Sequence, residues 1–404
     1  MLNVITLNDA KKLLDEHFSA KTPPEQVPLN DCAGRALAED IISGEYVPAF
    51  DRSSVDGWAV RAENTFGCSE TIPALLRSKG EVLMGAPAGL EIGEGDCAYV
   101  PTGGELPLGA NAMVMLEYAE DFGGGVIAVQ KPAAPGAHII FKGDDVVPEA
   151  LVLPAGHRLL PKDVGALAAL GVYSVPVRKR PVVAILSTGD EIVPPETSPL
   201  KIGQMRDVNS PMLAAAVNAA GGQALQLGIV PDDPSALKTA LLKALEYADM
   251  VLISGGSSVG AKDAAATVLG ELGTVLFHGL ALKPGKPTIA ADVRGKPIIG
   301  LPGHPVAAYF IFRLLLRPLL SSMLGGESEN RWVWGVCAAA IPSNHGREEC
   351  VAVRLEGESA VPIMSKSGLI TTLSGADGFI SVARDAEGVS AGERVRVYLF
   401  SEEL

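Results

Sequence analysis

The sequence predicts a multidomain α/β protein: a doubly wound, mostly parallel α/β domain, an inserted mostly β domain, a helical and extended N-terminal domain, and a β-rich C-terminal domain. Three observations predict it. The 404 residues exceed what one hydrophobic core usually supports. Strand-like and helix-like segments alternate between about residues 178 and 325. Short alternating stretches cut by Gly and Pro fill residues 45–145.

In chain order, Leu7, Ala10, Leu14 and Phe18 recur at helical spacing and predict an amphipathic helix over 7–18. Thr6 stands as its N-cap, with Asp9 where a capping box has Glu or Gln. Residues 1–44 and 146–177 make the N-terminal domain, with a second short helix over 161–170. The mostly β insert spans 45–145, with strands at 98–100, 112–116 and 126–129 separated by Thr102-Gly103-Gly104 and Gly123-Gly124-Gly125. The α/β domain spans 178–325, with strands at 182–186, 224–230, 250–253 and 297–301. Ser210-Pro211 and Asp233-Pro234 mark helix starts, because a Pro at the first helical position has no N–H to leave unpaired. That order makes right-handed crossovers and a mostly parallel sheet. Past Gly325-Gly326, residues 326–404 become β-rich again, with strands at 351–355 and 394–400.

Composition narrows the function. A net charge of −14 with no basic stripe argues against nucleic acid, whose binding releases phosphate counterions. Five scattered cysteines without a CxxC pair argue against a zinc site or a disulfide framework. The N-terminus shows no basic stretch followed by an apolar one, so no signal peptide is expected. The apolar run over 306–324 is interrupted by Arg313, Arg317 and Pro318, which suits a buried core helix better than a membrane span. The expected location is the cytoplasm, with no membrane partner.

Ligands of open parallel sheets bind beyond the carboxyl ends of the strands. Here those ends run into Ser187-Thr188-Gly189-Asp190-Glu191, Pro231-Asp232-Asp233, Ser254-Gly255-Gly256-Ser257-Ser258-Val259-Gly260 with Asp263 beyond, and Pro302-Gly303-His304-Pro305. Taken singly, each could be a tight connection, and Asp232 and Asp233 serve in part as caps. Together they concentrate glycine turns and carboxylates on one rim. Backbone N–H groups in a glycine turn that opens a helix favour phosphate. Carboxylates repel it, by on the order of 4 kcal/mol for like charges ~4 Å apart at an effective dielectric of about 20. A divalent cation reconciles the two, because Mg²⁺ takes one or two carboxylates plus substrate phosphate oxygens. The rim therefore reads as a Mg²⁺-dependent nucleotide or pyrophosphate site. Lys283-Pro284-Gly285-Lys286-Pro287 adds two cations on a proline-stiffened loop, suited to an oxyanion. In the insert, the run from Asp51 to Val60 combines acids, a base, hydroxyls and Trp58.

As a set these motifs resemble the MoeA family, whose animal counterpart is the gephyrin E domain. Asp51 to Val60 resembles D-x-S-x-x-D-G-[YW]-A-V, Ser187 to Glu191 is similar to S-T-G-D-E, and Gly203 to Ser210 to G-x-[IV]-x-D-x-N-S. Ser254 to Asp263 resembles S-G-G-x-S-x-G-x-x-D, Lys283 to Pro287 is K-P-G-K-P, and Leu301 to Pro305 stands for L-P-G-N-P. The resemblance covers essentially the whole chain. It implies a four-domain subunit with a molybdopterin adenylyltransferase-like α/β domain and a C-terminal β-barrel. It also implies a homodimer with active sites shared between subunits. The implied activity is enzymatic: molybdate is inserted into adenylylated molybdopterin, with Mg²⁺-dependent release of AMP, completing molybdenum cofactor. A molybdopterin adenylyltransferase is the implied partner.

Carried onto this sequence, the resemblance gives Glu191 and Asp263 to Mg²⁺, with Asp232 beside them. It gives Gly255, Gly256, Ser257 and Ser258 to phosphate, and Lys283 and Lys286, with Pro287 behind them, to the pterin phosphate or molybdate. Asp56, Thr102 and Asp145 come from the other subunit, and Ser367 and Arg347 from the barrel. His304 and Ala307 stand where L-P-G-N-P-V-S has Asn and Ser, and Gly279 where many members have Lys. Arg52 and Arg206 are cations where neutral residues are common. Three alternatives stay open: a tungstate-preferring homologue, the adenylyltransferase itself, and a non-enzymatic scaffold. Against the second, the turn reads Gly-Gly-Ser-Ser-Val-Gly rather than Gly-Gly-Thr-Gly.

Overall fold

A computed structural model describes residues 4–255, 259–328, 330–363 and 366–401, with the backbone alone for 259–263. The chain divides into two compact units: residues 1–39, 155–161 and 174–404 in the first, and 40–154 with 162–173 in the second.

The first unit is built on a six-stranded sheet ordered Gln223–Val230, Val182–Thr188, Met250–Gly255, Lys296–Leu301, Ile289–Val293, Thr274–His278. The first four strands are parallel, and the last two join antiparallel. The four parallel strands are those the sequence predicts, each somewhat longer. The antiparallel pair was not anticipated, and the lysine loop lies between its two strands. Strand Val182–Thr188 buries both faces: Val183 and Ile185 pack with Leu213 and Leu320, while Ala184 and Leu186 pack with Leu241 and Leu245. This alternation follows from the two-residue period of a strand.

Helix starts follow local chemistry. Thr6 Oγ1 accepts from the Asp9 amide at 3.1 Å and donates to Asp9 Oδ2 at 2.7 Å, capping Leu7–His17. Asp233 Oδ1 accepts from the Ala236 amide at 2.7 Å, with Pro234 opening Pro234–Tyr247. The helix Asn209–Ala219 is tied by Asp207, whose Oδ1 accepts from the Ser210 amide at 3.0 Å. Such caps satisfy amides that have no intrahelical partner.

The 19-residue helix over 305–323 is long and apolar enough to cross a membrane by composition, yet most of it is buried in the main core. A π turn over Phe312–Leu316 precedes Pro318. Buried Arg313 donates from Nη2 to the Leu399 carbonyl at 2.6 Å.

Beyond it, five strands close a barrel in the order Trp332–Cys337, Arg394–Leu399, Gly378–Val382, Glu348–Glu356, Ser359–Pro362, with the last returning to the first through Val336 and Cys337. Val353, Ile380 and Val397 fill it. Leu282–Lys283 runs parallel to Glu348 and Glu349, extending the barrel sheet with a piece of the α/β domain.

The second unit holds another six-stranded sheet, ordered Ala112–Met115, Gly57–Val60, Asp96–Val100, Ala74–Glu81, Val126–Val129, Ala119–Asp121. Val60, Cys97, Val114 and Ile127 form its core.

Candidate functional site

The rim of the first unit's sheet is assembled by hydrogen bonds between strand ends. Asn209 Nδ2 donates to Ser254 Oγ at 2.6 Å and to the Gly303 carbonyl at 2.8 Å, joining a helix start to the ends of two strands. Ser187 Oγ lies 2.8 Å from Ser210 Oγ. Gly255 sits at φ +134°, where a Cβ would stand 2.0 Å from the Thr188 carbonyl oxygen. A side chain at 255 would force these parallel strands apart.

Two chambers open along this rim. One, of about 600 Å³, is lined by Thr188, Glu191, Asp207, Asn209, Gly255 and His304. The other, of about 570 Å³, is lined by Lys283, Lys286, Pro287, His304, Arg347, Glu349, Lys366 and Ser367. His304 borders both. A smaller recess of about 50 Å³ adjoins Thr188, Asp232, Asp233 and Gly255.

The carboxylates crowd one another. Asp190 Oδ1 accepts from the Asp232 amide at 3.2 Å. The Asp232 carboxyl is raised above its ordinary range, first by burial and then by the negative charges of Glu191 and Asp190. Adding a cation relieves both costs. Among the described residues, no group of three or more His, Cys, Asp or Glu is arranged to hold a metal ion by itself. An oxygen-only pair of carboxylates suits a cation that substrate phosphates would complete.

The second chamber has the opposite polarity. Lys283 Nζ lies 2.7 Å from Glu349 Oε1, and Ser343 Oγ donates to Glu349 Oε2 at 2.9 Å. Four cationic residues (Lys283, Lys286, Arg347 and Lys366) line the chamber, with Glu349 as the one acidic residue among its described lining. Local positive charge thus concentrates in a chain whose net charge is −14. The loop is held by its own bonds, with Thr288 Oγ1 donating to the Gly285 carbonyl at 2.7 Å and the Leu280 amide to the Lys286 carbonyl at 2.9 Å. Across the chamber, His304 Nδ1 lies 2.7 Å from Ser367 Oγ.

The structure brings Glu191, Asp232 and Gly255 to the rim, and Lys283, Lys286, Pro287, Arg347 and Ser367 to the cationic chamber. Gly256, Ser257 and Ser258 lie outside the described residues, as does the side chain of Asp263, whose backbone falls in Val259–Leu272. In the second unit, Asp56 Oδ1 accepts from the Thr102 amide at 2.8 Å. Asp145 follows a strand paired with Arg52 and Ser53, and its amide donates to the Val47 carbonyl at 3.0 Å. Sequence reasoning missed Glu349 and Lys366. Glu349 lies in a strand, where alternation gives the face but not the neighbour. Lys366 stands next to Ser367, and that adjacency was the available signal.

The chain matches three consecutive family regions. These are the MoeA N-terminal region (domain I and II) over residues 5–171, a "probable molybdopterin binding domain" over 184–322, and the MoeA C-terminal region (domain IV) over 335–400. It is 33% identical over 96% of its length to the molybdopterin molybdenumtransferase of Bacillus subtilis, covering 92% of that protein. It is 34% identical over 93% of its length to molybdopterin molybdenumtransferase 2 of Mycobacterium tuberculosis, covering 95% of it. The crystal structure of a molybdopterin biosynthesis MoeA protein from Pyrococcus horikoshii superposes with a TM-score of 0.87 at 35% identity, over 98% of this chain and 100% of that one.

Proposed function

The chain belongs to the MoeA family, and from that premise we propose that it is a molybdopterin molybdenumtransferase, inserting molybdate into adenylylated molybdopterin with release of AMP. The observation that carries this reading is the pair of chambers meeting at His304, one cationic and one lined by carboxylate and glycine turns. The first suits a metal oxyanion. The second suits a phosphoanhydride whose charge is offset by a cation.

In this reading Lys283, Lys286, Arg347 and Ser367 hold the oxyanion or the pterin phosphate. Pro284 and Pro287 limit the entropy lost in ordering the lysine loop. By the resemblance, Gly255, Gly256, Ser257 and Ser258 would cradle the phosphoanhydride. Glu191 and Asp263 would hold Mg²⁺, with Asp232 close by, and the raised Asp232 carboxyl supports a cation there. When bound, Mg²⁺ offsets the charge that develops on the phosphate oxygens as the anhydride is cleaved. The carboxylates orient the attacking water, and no protein nucleophile is required. Asp56, Thr102 and Asp145 would come from a second copy in a homodimer. Within the chain, the Thr102 amide donates to Asp56 Oδ1, which gives that loop a defined shape. An adenylyltransferase would supply the substrate, in the cytoplasm.

The test is AMP release from adenylylated molybdopterin with Mg²⁺, with molybdate or tungstate added in parallel, for the wild type and Asp263→Ala. Oxyanion-dependent release that the variant loses supports the proposal, and the more effective oxyanion names the metal. A well-folded wild type that releases no AMP would overturn it.

A further inference from the structure

We propose that His304 and Ser367 form a tautomeric donor pair that orients the metal oxyanion in the cationic chamber and turns it toward the carboxylate rim. The inference rests on the molybdate reading above and adds a positioning residue to it.

The pair is built into the junction. Its two side chains meet at 2.7 Å, Nδ1 to Oγ. Their backbones are tied as well, since the Val306 amide at the helix start donates to the Ser367 carbonyl at 3.1 Å. The ring edge lies near Gly368, where an added Cβ would stand 3.9 Å from His304 Cδ2. Ser367 lines the cationic chamber, Gly368 lines the other, and the imidazole borders both.

Two proton arrangements satisfy this contact. In one, Nδ1–H donates to Ser367 Oγ, and the serine O–H is left to donate into the cationic chamber. In the other, the serine O–H donates to Nδ1, and the free donor is Nε2–H, which has no partner among the described residues. A neutral pair therefore always offers one donor, and the tautomer decides which residue carries it. A tetrahedral oxyanion only accepts hydrogen bonds. Lysine ammonium groups attract it with little directionality, whereas a hydroxyl or imidazole N–H fixes its rotation. Oxyanion seated against Ser367 selects the Nδ1–H form, and movement toward the rim is matched by tautomerisation of the ring: solvent takes the Nδ1 proton and returns one to Nε2, while the serine O–H rotates to donate to Nδ1.

The experiment titrates molybdate alone into the full chain carrying ¹⁵N-histidine, with affinity measured in parallel by calorimetry. Wild type, His304→Asn and Ser367→Ala are compared, and the chain's six histidines keep assignment tractable. The expected result is a shift of the His304 nitrogens toward the Nδ1–H pattern on binding, abolished in Ser367→Ala. In His304→Asn, whose amide can hold the serine but has no second tautomer, the calorimetric Kd for molybdate should rise roughly tenfold. Molybdate binding that leaves the His304 resonances unmoved would overturn the donor pair and leave the molybdate reading standing. No molybdate binding by folded wild type would overturn both.

Discussion

Lys283 Nζ and Glu349 Oε1, 2.7 Å apart, join the α/β domain's lysine loop to the longest strand of the barrel, Glu348–Glu356. The pair is half-exposed on the lysine side, so its contribution to stability is modest. Its consequence lies in the chamber's charge, because Glu349 cancels one of the cations facing an incoming oxyanion.

Glu349→Gln removes that cancellation while keeping the shape. Molybdate affinity should tighten by roughly three- to tenfold at low salt, and the gain should shrink as salt rises. Calorimetry at two ionic strengths checks this. Unchanged affinity at both would place the oxyanion away from Glu349.

Gly255→Ala should be damaging out of proportion to one methyl group. The added Cβ would stand 2.0 Å from the Thr188 carbonyl oxygen at a φ of +134°. A loss of at least ~2 kcal/mol is expected, together with loss of AMP release. Denaturant unfolding of the purified variant measures the first, and a stability equal to wild type would show that the strand ends can separate freely.

Acid should find a weak point in the second unit. Buried Asp96 accepts from Arg77 Nε at 3.0 Å and Nη2 at 2.8 Å, and from the Gly93 amide at 3.2 Å. The Arg77 hydrogen bonds, then that of Gly93, hold its carboxyl below the ordinary range. A carboxyl lowered by folding stabilises above its unfolded value, about 3.9, and that contribution fades as pH falls through the lower folded value. Asp96→Asn should therefore lower Tm at neutral pH, with the gap closing in strong acid. Equal gaps at pH ~7 and pH ~3 would contradict this assignment.

Much of the framework is legible in the sequence because local chemistry and tertiary demand agree there. Asp233-Pro234 caps a helix in any context, and apolar runs such as 182–186 fit a strand buried on both faces. Other features depend on distant partners. Thr274–His278 and Ile289–Val293 are short and flank a Pro- and Gly-rich loop, so only their pairing beside Lys296–Leu301 identifies them as strands of the sheet. Barrel closure through Val336 and Ser359 leaves no local mark. At the site, motif residues such as Glu191 and Lys283 were readable by type and spacing. Glu349 became visible only through the parallel pairing of Leu282–Lys283 with its strand.

The most direct test counts AMP released and metal-loaded pterin formed in one reaction, for wild type and Lys283→Met. One AMP is expected per metal inserted, with release that depends on the oxyanion and a Lys283→Met variant at least roughly tenfold weaker for molybdate. AMP release indifferent to molybdate, or metal insertion unaffected by loss of Lys283, would contradict the claim that the two chambers at His304 are one transferase site.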